Sequence, residues 1–156
     1  MRGFVAAAQP KHYEWPRVVA TDSVAFEGVL AWPAEAGTEA ERQALVRHWY
    51  HTRLNETEDH GLTQWPAPKA RTYAGLPAGA YQELALVEEV CRLQFRVSLR
   101  PTPAGLAYCL WEFTYSQAGF DSANVFDLEY LLRVTPGPRP QLDRMQHRLR
   151  VALAHW

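Results

Sequence analysis

The chain has 156 residues, 47 % of them hydrophobic and 21 % charged, with a formal net charge of −1. That length fits a single domain, taken here as residues 1–156, and buries a core without disulfide or metal staples. The composition excludes a disordered chain, and the near-zero net charge excludes a global pull toward nucleic acid or an anionic membrane.

Residues 1–16 carry no periodicity and read as an arm, and the apolar run Phe4 to Ala8 is too short for a signal peptide. Arg17 to Trp32 reads as a strand or a bent strand pair, with Val24, Phe26, Leu30 and Trp32 in one phase before Pro33 stops it. Thr38-Glu39-Ala40-Glu41 is a capping box, and it predicts a helix over about 39–54 with Leu45, His48, Trp49 and Thr52 on one face. Residues 55–79, rich in Pro and Gly, read as a long irregular loop, which in a compact domain signals either function or a missed element.

The segment from Tyr81 to Glu89 is ambiguous: its residues are helix formers whose apolar members surround a helix, whereas as a strand Ala85 and Val87 share one phase with Cys91, Leu93, Phe95, Val97 and Leu99, broken only by Glu89. As a strand it would place Glu89 inward, a buried carboxylate suited to acid–base work; on an exposed turn it would be inert. From Arg92 the alternation is strict, and strands are expected at about 90–100, 105–116 and 124–134. The second would present Cys109, Trp111, Phe113 and Tyr115 on one face, and the third Phe126, Leu128, Tyr130, Leu132 and Val134. Pro136, Pro138 and Pro140 then break the chain. The last segment is an amphipathic helix whose stripe is Leu142, Met145, Leu149, Ala152, Leu153 and Trp156. Together these elements define an α+β domain, an antiparallel meander covered by the C-terminal helix.

Charge is unevenly spread. From Arg133 onward there are five arginines and one acid, whereas Tyr81 to Leu132 holds three arginines and seven acids. The simplest outcome is that the basic tail meets the acidic middle of its own chain. Cys91 and Cys109, each in an apolar run, read as buried free thiols, although neighbouring strands could pair them.

No nucleophile elbow, phosphate loop or metal motif is present in the sequence. The densest polar group is His48, His51, Glu56, Glu58, Asp59 and His60. His48, His51 and His60 could bind zinc through three imidazoles, but their spacing matches no known pattern and a hydrated helix end explains them better. Arg92, Arg96 and Arg100 alternate along one strand and, with Arg144 and Arg148 on the last helix, form a possible nucleic-acid track; cross-strand pairing with Glu112 is the plainer explanation. Trp15 and Trp65, each before a proline, and Leu76 in the long loop are candidates to anchor a partner. The leading expectation is therefore an assembly or protein-binding subunit without cofactor, contacting another protein or another copy of itself. The alternatives are a small enzyme or ligand-binding cup at the histidines and a nucleic-acid-binding accessory protein. No segment approaches the roughly 20 apolar residues of a membrane span, so a cytoplasmic location is the default expectation.

Overall fold

The computed structural model describes residues 14–54, 71–73, 76–78, 82–117, 125–135, 137 and 139–156. In chain order these form β1 (Phe26–Ala31), α1 (Glu39–Trp49), β2 (Arg71–Tyr73), β3 (Leu76–Ala78), β4 (Gln82–Glu88), β5 (Cys91–Pro101), β6 (Gly105–Gln117), β7 (Phe126–Asp127), α2 (Leu128–Val134) and α3 (Pro140–Ala154). The main sheet is antiparallel in the order β1-β6-β5-β4, with β7 pairing β6 beyond the end of β1. The fold is α+β, as expected, and α3 lies on the core face of the sheet, where Leu142, Met145, Leu149 and Leu153 are buried with Leu93, Phe95 and Phe113.

The meander is displaced from its expected position by one strand. The ambiguous segment is β4, paired along its whole length with β5, and Leu84 and Leu86 enter the core. A two-residue turn, Glu89-Val90, joins the two strands, with Glu89 exposed at φ 55°. Glu89 is thus at the surface, and its carboxylate meets Arg144 at 3.3 Å.

The strand expected over 124–134 forms only at Phe126 and Asp127; Leu128 to Val134 is helical. Alternation misleads here because Leu128, Leu131 and Leu132 also satisfy the i, i+3, i+4 spacing of a helix, and Leu, Glu and Arg are strong helix formers. Leu128 and Leu131 are buried, and Glu129 accepts a 2.8 Å hydrogen bond from the Val24 backbone N–H, tying α2 to the chain before β1.

A β-bulge splits β6. Opposite Gln94 and Arg96, the partner residues step from Thr114 to Trp111, so β6 carries one extra residue, and Glu112 takes φ 52°. Before the bulge Leu106 and Leu110 face the core; after it Phe113 and Tyr115 do. Cys109 and Trp111, expected on the same face as Phe113, instead join Ala25 in a smaller cluster with Val18 against it.

Helix α1 opens with the expected reciprocal cap: Thr38 Oγ1 accepts from the Glu41 N–H at 3.1 Å, and Glu41 Oε2 accepts from the Thr38 and Gly37 N–H groups at 3.0 and 2.8 Å. Those two backbone donors hold the Glu41 carboxyl below its ordinary range. Thr38→Ala should lower stability by about 1 kcal/mol, the usual loss of a hydroxyl cap, as read by chemical denaturation. Beyond Trp49 the helix widens into a π-helical turn over Tyr50–Leu54. The buried stripe is Val46, Trp49, Tyr50 and Leu54, spaced i, i+3, i+4 and i+8, and His48 and Thr52, expected on the same face as Trp49, fall outside it and are exposed.

Residues 14–16, expected in an arm, are folded onto the body. Trp15 is buried edge-on against Phe26 and Phe113 at 6.0 Å, and the Glu14 carbonyl accepts from Gln146 and Arg150 of α3. Within the expected loop of 55–79, the described residues form a two-stranded hairpin, β2 with β3.

Candidate functional site

His48 lies in the last turn of α1 and His51 in the π-helical turn; both are exposed, and His60 lies outside the described residues. No group of three metal-ligating side chains occurs among the described residues.

Three of the five candidate arginines, Arg96, Arg144 and Arg148, are engaged with the chain's own acids. Arg144 meets Glu88 at 2.7 Å and Glu89 at 3.3 Å, while Arg148 donates to the Val87 carbonyl at 3.1 Å with Glu88 at 3.7 Å. The basic tail does meet the acidic middle, and it does so along the outer edge of β4. On β5, Arg96 lies 2.8 Å from Glu112 and 3.7 Å from Glu83. Arg92 is half-buried and Arg100 is exposed near the end of the strand, opposite Ala107. The middle member of the row, Arg96, is thus flanked by two carboxylates, which offset its charge toward a phosphate backbone.

The cysteines lie at opposite ends of the β5–β6 ladder, Cys91 opposite Gln117 and Cys109 opposite Ser98, and both are free. Cys91 Sγ is 2.9 Å from Tyr115 Oη in the core. Burial, and then the neighbouring Glu27 carboxylate, push the Cys109 thiol far above its ordinary range, so it stays protonated and unreactive at neutral pH.

Of the expected partner anchors, Trp15 has its ring enclosed in the core, Trp65 lies outside the described residues, and Leu76 pairs with Tyr73 in the β2–β3 hairpin. Among the described residues, exposed large hydrophobics gather around β7 and α2. Val125, Phe126, Tyr130 and Val134 are 45, 38, 45 and 48 % exposed. Tyr130 and Val134, four residues apart on α2, lie on its outward side while Leu128 and Leu131 turn inward, and Phe126 of β7 joins them through its contact with Tyr130. The rings of Phe126 and Tyr130 stack at 6.1 Å and 14°, and the Arg133 guanidinium lies 5.7 Å from the Tyr130 centroid. The sequence contains these residues in plain view, but reading them as a strand made them core. Correct assignment of the helix would have left Tyr130 and Val134 on its outer side.

A second feature lies on the sheet face opposite α3: a depression of about 350 Å³ lined by Glu83, Ala85, Arg92, Gln94, Arg96, Glu112 and Thr114. No described helix is long and apolar enough to cross a membrane. The chain matches no known family model, and no curated protein or solved structure is detectably similar to it.

Proposed function

We propose that this domain is an assembly subunit, acting by association rather than catalysis, and that its contact surface is the outward side of β7–α2. The observation that supports this reading is the exposed set Val125, Phe126, Tyr130 and Val134, in which the Phe126 and Tyr130 rings stack and Val134 follows Tyr130 by one helical turn. Single exposed hydrophobes are ordinary, whereas a contiguous apolar patch marks an interaction surface. The occupant is a second copy of the chain. Asp127 precedes α2 and Arg133 lies in its last turn, both exposed, so two such helices packed antiparallel about a two-fold set each carboxylate opposite the other's guanidinium. A net charge of −1 offers little repulsion against such pairing.

Sedimentation velocity over a roughly hundredfold concentration range reads this directly, because subunit association follows mass action. The wild-type chain should shift from monomer to dimer as concentration rises. Tyr130→Asp, at a position that is 45 % exposed and therefore tolerant, should remain monomeric with an unchanged circular-dichroism spectrum. A wild-type monomer at every concentration, or a dimer unaffected by Tyr130→Asp, would overturn the reading.

A further inference from the structure

The main sheet ends on one side at β1, and the hydrogen-bond phase along β1 determines which backbone groups that edge leaves open. The Trp32 N–H donates to the Ala104 carbonyl, one step beyond the Ala31–Gly105 pair. Bonded and non-bonded pairs alternate in an antiparallel ladder, so Phe26, Gly28 and Leu30 bond β6 while Glu27, Val29 and Ala31 turn their N–H and C=O groups away from it. Two bonds on the far side agree with that phase. The Ala25 N–H donates to the Pro16 carbonyl at 3.1 Å, and the Ala31 carbonyl accepts from the Trp156 indole N–H at 2.6 Å.

Those two bonds are also the walls of a gap. At one end the chain before β1 runs beside Val24 and Ala25 until Pro16, which has no N–H to return the bond, and Trp15 then enters the core. At the other end the Trp156 indole covers the Ala31 carbonyl. Between the walls, Glu27 and Val29 present two donors and two acceptors that no group among the described residues takes. The opposite edge of the sheet is covered: Arg148 of α3 bonds the Val87 carbonyl of β4, and Arg144 pairs with Glu88. Sheets commonly blunt their edges by such covers, or by lysines, prolines and bulges. β1 has no lysine, proline or bulge, and Val29 on it is 55 % exposed.

We infer that the β1 edge is a strand-addition site for an extended segment of a partner protein, with a cationic residue opposite Glu27 and an aliphatic one opposite Val29. In this mode main-chain bonds to the edge supply affinity and alternate side chains supply selectivity. Residues directly opposite one another in an antiparallel pair share a face, so the incoming cation lies against the Glu27 side chain. That side chain is exposed, neighbours the Cys109 thiol, and makes no ion pair among the described residues. The gap from Ala25 to Ala31 is about 20 Å long at the usual rise of a strand. A second copy of β1 does not fit it, because that strand brings its own Pro16 segment and Trp156 into the same space. A free segment of about four residues, some 13 Å when extended, does fit. The edge and the outward side of β7–α2 belong to different elements, so either assignment can fail without the other.

The test is an amide-resolved NMR titration with the peptide acetyl-Thr-Val-Thr-Lys-Thr-amide, whose Val and Lys fall opposite Val29 and Glu27 in antiparallel register. In the free protein the Glu27 and Val29 amides should exchange with solvent at least about tenfold faster than those of Gly28 and Leu30, which bond β6. Peptide should shift the Glu27 and Val29 amides saturably and slow their exchange. Replacing its lysine with glutamate should weaken binding at least about fivefold, and Glu27→Lys should reverse that preference. Val29→Pro should abolish binding with the circular-dichroism spectrum unchanged, since the lost N–H is one that β6 does not use. Slow exchange of Glu27 and Val29 in the free monomer, absent or non-saturating shifts, or shifts centred elsewhere would overturn the assignment. So would a lysine preference that survives Glu27→Lys, or a dimer that protects these two amides and so shows a second copy at the edge.

Discussion

Trp49→Ala should lower the unfolding free energy by about 3–5 kcal/mol, the range for truncating a buried large aromatic. Trp49 is fully buried, and its indole N–H donates to the Ala152 carbonyl at 2.7 Å. Ala152 lies in the last turn of α3, where helix carbonyls lack an intrahelical partner. No left-handed residue closes that end, since His155 is extended, so a side chain from α1 completes it. Trp156 packs edge-on to Trp49 at 6.0 Å, stacks on Trp32 at 5.4 Å, and donates to the Ala31 carbonyl at 2.6 Å. Three tryptophans thereby join α1, α3 and the end of β1. Trp49→Phe separates the two contributions: it keeps most apolar area and removes the donor, and should cost about 1 kcal/mol for the lost bond plus the desolvation of Ala152. Denaturant midpoints for both variants measure this, and a loss under 1 kcal/mol for Trp49→Ala would contradict the packing.

How much of this was legible in the sequence differs by element, for physical reasons. The capping box at Thr38 and Glu41 was readable because it is entirely local, two side chains and two amides within four residues. The stripe of α3 was readable because fifteen residues give its period time to declare itself. Leu128 to Val134 was not, because in seven residues Leu128, Tyr130, Leu132 and Val134 satisfy the strand period while Leu128, Leu131 and Leu132 satisfy the helical one, and only packing against β6 and Val24 decides. Trp15 could not be placed, since its burial depends on Phe26 and Phe113, distant in sequence. The arginines were half legible: Arg96 with Glu112 follows from adjacent strands, but Arg144 with Glu88 requires knowing which edge α3 crosses. The candidate contact surface was hidden by the same period error that hid α2. The polar depression was hidden by the bulge, which no glycine announces.

That bulge makes the second large prediction. Phe113→Ala should cost about 3–5 kcal/mol, because Phe113 is the ring at which the core aromatics converge. It stacks on Phe95 at 5.2 Å and meets Phe26 at 5.8 Å and Trp15 at 6.0 Å. A regular strand would put Trp111 on the same face, where the two truncations would open one shared cavity and their costs would not add. With the extra residue at Glu112, Trp111 belongs instead to the cluster of Ala25 and Cys109. The double variant Trp111→Ala/Phe113→Ala should then lose the sum of the single losses to within about 0.5 kcal/mol, as independent sites do. Trp15→Ala combined with Phe113→Ala should depart from additivity by about 0.5–3 kcal/mol, since those rings touch. Both cycles can be measured by denaturant titration of the same set of variants. Strong coupling between 111 and 113, with none between 15 and 113, would mean that β6 runs without its bulge and that Glu112 is not turned toward Arg96.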